Sequence, residues 1–219
     1  MTEMRKSRSL IACGVAICPL FYALVVMQML SRTGFDISKH PLSLLSLGDA
    51  GWIQVANFIV IGVLAIACAA GLRRALRSSS GETWGPLLIA TYGLGMITAG
   101  IFPPDPLPGF PPGAVQGIPQ QMSWHAVMHG VGFLIAFASL IGACAVFGRR
   151  YFLIGKPAWA VYSIATAIMT PLIIIVGMAV PRATSISFFV VGILTFGWVG
   201  AASAQVLSKF ADGHSHSRS

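Results

Sequence analysis

The sequence predicts an all-α integral membrane protein, a single transmembrane domain over residues 1–219 built as a bundle of six helices. Two observations predict this class. Charged residues make up 9% of the 219 residues and hydrophobic residues 56%, whereas about a quarter of a soluble domain is charged. The apolar residues also fall in uncharged runs, and a run of about 20 residues is long enough to cross a bilayer as a helix.

Six such runs define the predicted spans. Residues 10–30 cover the hydrocarbon layer, because a helix rises about 1.5 Å per residue. The same criterion gives five further spans, over residues 52–72, 84–102, 126–147, 157–180 and 186–206. Uninterrupted apolar runs favour helices over a β-barrel. We expect the first run to remain as a span, because it is longer than the core of a signal peptide and lacks a small-x-small cleavage site.

Basic residues are divided unequally between the two sides of the predicted bundle. Eleven lie on the side that carries both termini, and three lie on the other side, namely Arg32, Lys39 and Arg182. The positive-inside rule therefore predicts a cytoplasmic (inner) membrane protein with both termini inside and two long extracytoplasmic loops. The formal net charge of +8 indicates contact with membrane lipids rather than nucleic acid, because the basic residues form small groups beside the membrane.

The two long loops, residues 31–51 and 103–123, concentrate polar residues on the predicted outer side. Connections longer than about 12–15 residues are typically functional or disordered. In the first loop, Pro41 follows Ser38 and His40 and precedes apolar residues, which predicts a short helix at the membrane interface. The second loop is dense in proline, so we expect a stiff, extended lid or spacer without helix.

Small residues within the spans indicate where helices approach closely. In membrane bundles such residues let two backbones touch. We interpret them as packing sites within the bundle rather than as a dimerisation seam. They are Gly93, Gly95, Ala99 and Gly100 in span three, Gly130 and Gly132 in span four, and Gly197 and Gly200 in span six.

His125 and His129 are the first candidates for chemistry. Their i, i+4 spacing places both on one face of span four, and an ionisable residue within a span marks a functional hypothesis because burying it is costly. A divalent metal such as zinc needs a third ligand. The candidates on the same side are Asp105, His40, Asp36 and Asp49. The alternatives are acid–base work without a metal, or a structural hydrogen bond from His129 to a neighbouring helix or to the Asp105 loop.

Asp105 and Arg182 lie at the outer ends of spans three and five. One interpretation is a salt bridge between them. The other is that Arg182 binds an anionic headgroup or phosphate while Asp105 orients a histidine. Asn57 and Ser43 complete a polar mouth in the second interpretation, and Asn57 is otherwise an ordinary contact between helices.

Several motifs in the first four spans resemble those of a known family. They are Asp36-x-x-x-His40-Pro41-Leu42-Ser43, Gly51-Trp52-x-x-x-Ala56-Asn57-Phe58, and Gly100-Ile101-Phe102-Pro103-x-Asp105 followed by His125 to His129. With these motifs the chain resembles the domain of unknown function 998 family of bacterial membrane proteins. The resemblance implies six helices and no established biochemical activity. By pairing Asp105 with a histidine of span four, it also supports an outward-facing site.

We therefore expect an outward-facing polar pocket near the lipid interface that binds a lipid headgroup or small amphiphile. The expected residues are His40, Ser43, Asn57, Asp105, His125, His129 and Arg182. One alternative is a membrane-embedded metal-dependent hydrolase or transferase acting on a lipid, with catalytic or metal-ligating groups drawn from His125, His129 and Asp105. A small transporter is a second alternative, which the lack of charge within the spans disfavours.

Overall fold

The structure is a computed structural model that describes residues 2–77, 81, 83–114, 121–180 and 182–215. This part of the chain contains six helices that are long and apolar enough to cross a membrane. They are α1 (Thr2–Ser31), α2 (Gly51–Ala75), α3 (Trp84–Ile101), α4 (Trp124–Leu153), α5 (Pro157–Ala179) and α6 (Thr184–Ser215). Each predicted span lies within one of these helices, except that Phe102 and Val180 fall one residue beyond α3 and α5. The prediction of an all-α fold with six apolar helices is confirmed.

The six helices form a closed ring. Each helix packs against the next one along the chain, and α6 packs against α1. The connections from α2 to α3, α4 to α5 and α5 to α6 are short, which places these consecutive helices side by side and antiparallel. Tyr22 of α1 joins the closing seam, since its hydroxyl donates to the Phe189 carbonyl oxygen of α6 at 2.8 Å. The two rings also meet edge to face, with centroids 5.2 Å apart.

Glycine lets α2, α3 and α4 approach backbone to backbone. A Cβ on Gly95 would lie 2.6 Å from the Ala136 nitrogen, and one on Gly132 would lie 2.8 Å from the Gly95 carbonyl oxygen. A Cβ on Gly93 would lie 2.5 Å from the Gly62 carbonyl oxygen of α2. Real Cβ atoms do not occupy such positions, so the predicted close packing at Gly93, Gly95 and Gly132 is confirmed.

Gly130 and Gly197 differ from these three glycines. Within the described part of the chain, a Cβ added at either position would meet no heavy atom within 4 Å. Their prediction as packing sites is therefore wrong. The reason at Gly130 is that this residue borders a cavity, which is described below.

Within the ring, α5 packs against its two neighbours α4 and α6. Its buried residues are all small: Ala160, Ser163, Thr166, Thr170 and Gly177. Its larger apolar side chains are exposed, as Ile175 (63%) and Met178 (68%) illustrate. The hydroxyl of Ser163 accepts a hydrogen bond from Trp198 Nε1 at 3.0 Å, which links α5 to α6. Bilayer hydrocarbon is the environment that suits such an apolar exposed face.

The first loop, residues 32–50, and the described parts of the second, residues 102–114 and 121–123, lie at one end of the ring, which we call the loop end. The first loop contains a short 3-10 helix, Leu42–Ser46, directly after Pro41, where a short helix was predicted. The side chains of Leu42, Leu44 and Leu45 are buried, so this helix packs into the bundle. The second loop is free of helix over its described residues 102–114 and 121–123, as its prolines predict.

Candidate binding site

A partly open cavity of about 220 Å³ lies within the ring at its loop end. Helices α1, α2, α3, α4 and α6 contribute to its wall, and residues 41–43 of the first loop cover it. Most of the wall is aromatic or aliphatic. The aromatic lining residues are Phe21, Tyr22, Phe58, Phe133, Phe137, Phe188 and Phe196. A concave, apolar site with few polar groups is typical of sites for small molecules.

Helical spacing brings these rings onto the cavity wall. Phe133 and Phe137 are one turn apart on α4, and Phe188 and Phe196 are two turns apart on α6. The Phe133 ring centroid lies 4.5 Å from that of Phe137 and 5.1 Å from that of Phe188. The sequence prediction did not include these residues. Their i, i+4 and i, i+8 spacing is visible in the sequence, and it is the signal that points to a shared face.

The polar groups on the wall are few. Ser43 and His129 line the cavity, whereas the Tyr22 hydroxyl is already bonded to the Phe189 carbonyl. The wall of this cavity is therefore mainly apolar, and the expected polar pocket stays a prediction. Of the seven residues expected to bind a ligand, Ser43 and His129 line the cavity. The other five are not among the described residues that line it.

His129 is held by the last turn of α3. Its Nδ1 lies 3.0 Å from the carbonyl oxygen of Ala99 and 2.9 Å from that of Phe102. Because both partners can only accept, Nδ1 carries a proton and donates, so the neutral ring keeps Nε2 as an acceptor. The Ala99 carbonyl needs this donor, since its normal helical partner would be the N–H of residue 103, which is proline. The structural hydrogen bond that was considered for His129 is thus present.

His125 lies outside the cavity although it shares a helix face with His129. Its side chain is exposed, and its ring stacks on Trp124 with centroids 3.6 Å apart. The Phe102 ring lies 6.3 Å away. The i, i+4 spacing thus brings both histidines to the end of α3, but it aims only His129 at the cavity.

Asp105 holds the start of α4. One carboxylate oxygen accepts the Ser123 backbone N–H at 2.8 Å, and the Ser123 hydroxyl in turn accepts the Ala126 N–H at 3.1 Å. Hydrogen bonding by the hydroxyl and the N–H of Ser123 holds the pKa of Asp105 below its ordinary value. The carboxylate also lies near the positive end of the helix dipole.

Arg182 does not pair with Asp105. Among the described residues the two form no salt bridge, so the salt bridge considered between them is absent. Arg182 is exposed in the turn between α5 and α6, and its φ of 65° is left-handed.

His40 joins the two loops instead of binding a ligand. It is 3% exposed. Its Nδ1 accepts the Asp36 N–H at 3.0 Å, so Nε2 carries the proton and donates to the Pro108 carbonyl oxygen at 3.1 Å. The Phe110 ring lies 5.7 Å from the imidazole and 5.3 Å from the Arg32 guanidinium carbon. We call these five residues the loop clasp.

Asp36 is committed to its own turn. Its carboxylate accepts hydrogen bonds from the hydroxyl and the backbone N–H of Ser38, at 2.7 and 2.9 Å. These bonds, together with Lys39 at 3.2 Å, lower the pKa of Asp36 to about 2. The carboxylate therefore stabilises the turn that leads into His40.

Asn57 lies beside the cavity wall in a buried amide cluster with Gln28 and Gln54. Its Nδ2 donates to the Phe21 carbonyl oxygen of α1 at 3.2 Å, and Gln28 Nε2 donates to Gln54 Oε1 at 2.9 Å. All three side chains are at most 1% exposed. Asn57 thus has the alternative role that was considered for it, as a contact between helices.

The described residues do not assemble a metal centre. Within the ranges given above, no group of three His, Cys, Asp or Glu residues is placed to hold a metal ion. The Nδ1 of His129 and one oxygen of Asp105 are bonded to the backbone, and His125 stacks on Trp124. A metal-ligand set of His125, His129 and Asp105 does not fit this arrangement.

Residues 15–208 match the family described as protein of unknown function (DUF998). The matched region contains the cavity and all seven residues that were expected to bind a ligand. No curated protein and no solved structure matches the chain.

Proposed function

The chain belongs to the family described as protein of unknown function (DUF998), as its motifs predicted, and we propose that this membrane protein binds an amphiphilic lipid. In this proposal an apolar chain of the lipid occupies the aromatic cavity, and its polar end lies towards the loop end. The observation that carries the proposal is the aromatic lining of a partly open cavity of about 220 Å³ among apolar helices.

The dimensions of the cavity suit part of a lipid chain. Its wall on α4 runs from His129 to Phe137, a distance of about 12 Å at 1.5 Å per residue. Lipid chains in a bilayer are already out of water, so burial alone does not favour transfer into the protein. Affinity has to come from close packing against the rings and from the few polar groups at the loop end.

The proposal places the loop end outside the cytoplasmic membrane and both termini inside. Its support is the distribution of basic residues, eleven at the end with the termini and three at the loop end. Two exposed positions test it, Asp49 at the loop end and Arg149 at the other end. We expect a membrane-impermeant maleimide to label Asp49→Cys in intact cells, and Arg149→Cys only after permeabilisation. The reverse pattern would overturn the orientation.

Photocrosslinking tests whether the cavity holds lipid. The probe is the methyl ester of a 16-carbon fatty acid with a diazirine in its chain, added to detergent-purified protein and located by peptide mass spectrometry. Gly130→Leu places a side chain into the cavity, whereas Gly197→Leu adds the same side chain at another open helix position. We expect adducts on α4 and α6 residues of the wall in the wild type and in Gly197→Leu, and about tenfold fewer in Gly130→Leu.

Two labelling patterns would contradict the proposal. Equal labelling of the cavity residues in all three proteins, or labelling confined to the exposed face of α5, would show that the cavity is not the binding site. The geometry gives no specific support to the metal-dependent hydrolase or to the transporter.

A further inference from the structure

We infer that the ligand of this cavity is an uncharged amphiphile with a hydroxyl group, whose O–H donates to Nε2 of His129. The inference rests on the proposed function, because it names the chemical class of the lipid bound in the same cavity.

The first step is the state of the imidazole. The hydrogen bonds that His129 forms with described residues both use Nδ1, towards the carbonyls of Ala99 and Phe102. Pro103 cannot supply the N–H that the Ala99 carbonyl lacks. The proline that follows α3 therefore accounts for the donor role of Nδ1, and Nε2 is the nitrogen left to accept from a ligand.

The second step is the charge of the ligand. The described residues that line the cavity include no Asp, Glu, Lys or Arg. A charged headgroup drawn into this cavity would lose its hydration without gaining a counter-charge, which is costly. A hydroxyl group loses far less, and it regains its hydrogen bond at Nε2.

The third step is the placement of the acceptor. His129 lies five residues after the first residue of α4, about 7.5 Å along the helix axis. The aromatic wall continues beyond it to Phe137, and Ser43 lies above the cavity in the first loop. A hydroxyl near His129 thus leaves the apolar chain directed along the rings, as the polarity of a bilayer requires.

The test compares two ligands that differ in one donor, dodecan-1-ol and its methyl ether 1-methoxydodecane. Each competes with the diazirine methyl ester, which is uncharged and has no O–H donor, for crosslinking to the wild type and to His129→Asn. The asparagine amide keeps a donor near the carbonyls of Ala99 and Phe102 but removes the acceptor at the Nε2 position. Taking the ratio of wild type to variant for each ligand cancels its partitioning into the detergent.

We expect the alcohol to lose about five- to tenfold in competing strength in His129→Asn, and the ether to be unchanged. Equal ratios for the two ligands, with both still displacing the probe from the wild type, would overturn the inference and leave the proposed function standing. Failure of both ligands to displace the probe, together with equal labelling of Gly130→Leu and wild type, would overturn both. A stronger effect for dodecyltrimethylammonium, unchanged in His129→Asn, would point to a cation and also overturn the inference.

A second measurement applies if His129→Asn does not fold. In wild-type protein labelled with nitrogen-15 at histidine, dodecan-1-ol should shift the Nε2 resonance of His129, and 1-methoxydodecane should not. An Nε2 resonance that carries a directly bonded proton before any ligand is added would contradict the inferred tautomer.

Discussion

A hydrogen bond between helices replaces one that proline removes from α3. The Ala99 carbonyl would normally accept the N–H of residue 103, but Pro103 has none, and His129 Nδ1 donates at 3.0 Å instead. This exchange gives a physical reason for the Phe102-Pro103 step and for a histidine one turn into the next long helix. It also gives the two ring nitrogens of His129 different roles: Nδ1 donates to backbone carbonyls, and Nε2 remains as an acceptor.

The exchange makes a prediction for a double-mutant cycle. We expect His129→Leu to lower the free energy of unfolding by about 1–3 kcal/mol, because it leaves two carbonyls without a donor. Pro103→Ala restores an N–H that lets α3 continue by one residue, so the loss caused by His129→Leu should be smaller in the Pro103→Ala background. Thermal unfolding in detergent measures both. A loss of equal size in the two backgrounds would contradict the exchange.

The lowered pKa of Asp105 predicts that the stability of the protein depends on pH. Because the pKa of Asp105 is lower in the folded protein than its ordinary value, its stabilisation is present above the unfolded pKa of about 3.9 and is lost as the pH falls through the folded pKa. We expect Asp105→Asn to unfold more easily than the wild type at pH 7, with the difference shrinking progressively below about pH 4. Melting curves of both proteins across this range provide the test, and a difference that grows in acid would contradict it.

At the scale of elements, the ring depends on places where two helix backbones touch. Gly95 and Gly132 face each other across α3 and α4, and neither position has room for a Cβ. Close approach of this kind strengthens dispersion contacts along the whole interface. Ala99 and Ala136 belong both to this interface and to the cavity lining, so close packing and the cavity share the same lengths of α3 and α4.

The interface predicts a large effect from a small change. Gly132→Val should lower the free energy of unfolding by about 1–3 kcal/mol, because the new side chain overlaps the Ala99 nitrogen and the Gly95 carbonyl. Gly197→Val, which meets open space, is the matched control and should change stability little. Similar melting temperatures for the two variants would show that α3 and α4 can move apart at low cost.

For the whole molecule, the loop clasp is what joins chain segments that are far apart in sequence at the loop end. His40 bonds Asp36 of its own loop and Pro108 of the other loop, and Phe110 is fully buried between them. The first loop also supplies the residues that cover the cavity. The order of the two loops and the shape of the cavity are therefore linked.

Hydrogen exchange can show this linkage. We expect His40→Ala to raise amide exchange about tenfold or more in both loops, residues 32–47 and 102–114, because two buried hydrogen bonds and a ring contact are lost. Exchange in the core of α6 should stay the same. Lys39→Ala, which removes an exposed ion pair with Asp36, is the control and should have little effect. Faster exchange confined to the first loop would contradict a clasp.

The sequence predicts the elements of this fold well and its cavity poorly. Long uncharged runs fix the helices, because the energetic cost of charge in a bilayer leaves a strong pattern. Gly95 and Gly132 are recognisable as helix contacts because small residues within a span mark places where two backbones approach. The cavity depends on which helix faces meet in three dimensions, so Phe21 and Phe58 look like ordinary span residues. His40 and Asp105 were expected at the binding site because they are polar, but their partners are backbone groups that no sequence pattern reveals.

The imidazole of His129 is also a point of thermodynamic linkage. A ligand that donates to Nε2 polarises the ring and strengthens the donation from Nδ1 to the Ala99 and Phe102 carbonyls, because hydrogen bonds in a chain reinforce one another. Binding in the cavity then favours order at the end of α3, and order at the end of α3 favours binding by the same free energy. Residues 102–114 begin at that helix end, so their amide exchange rate becomes a measure of whether the cavity is filled.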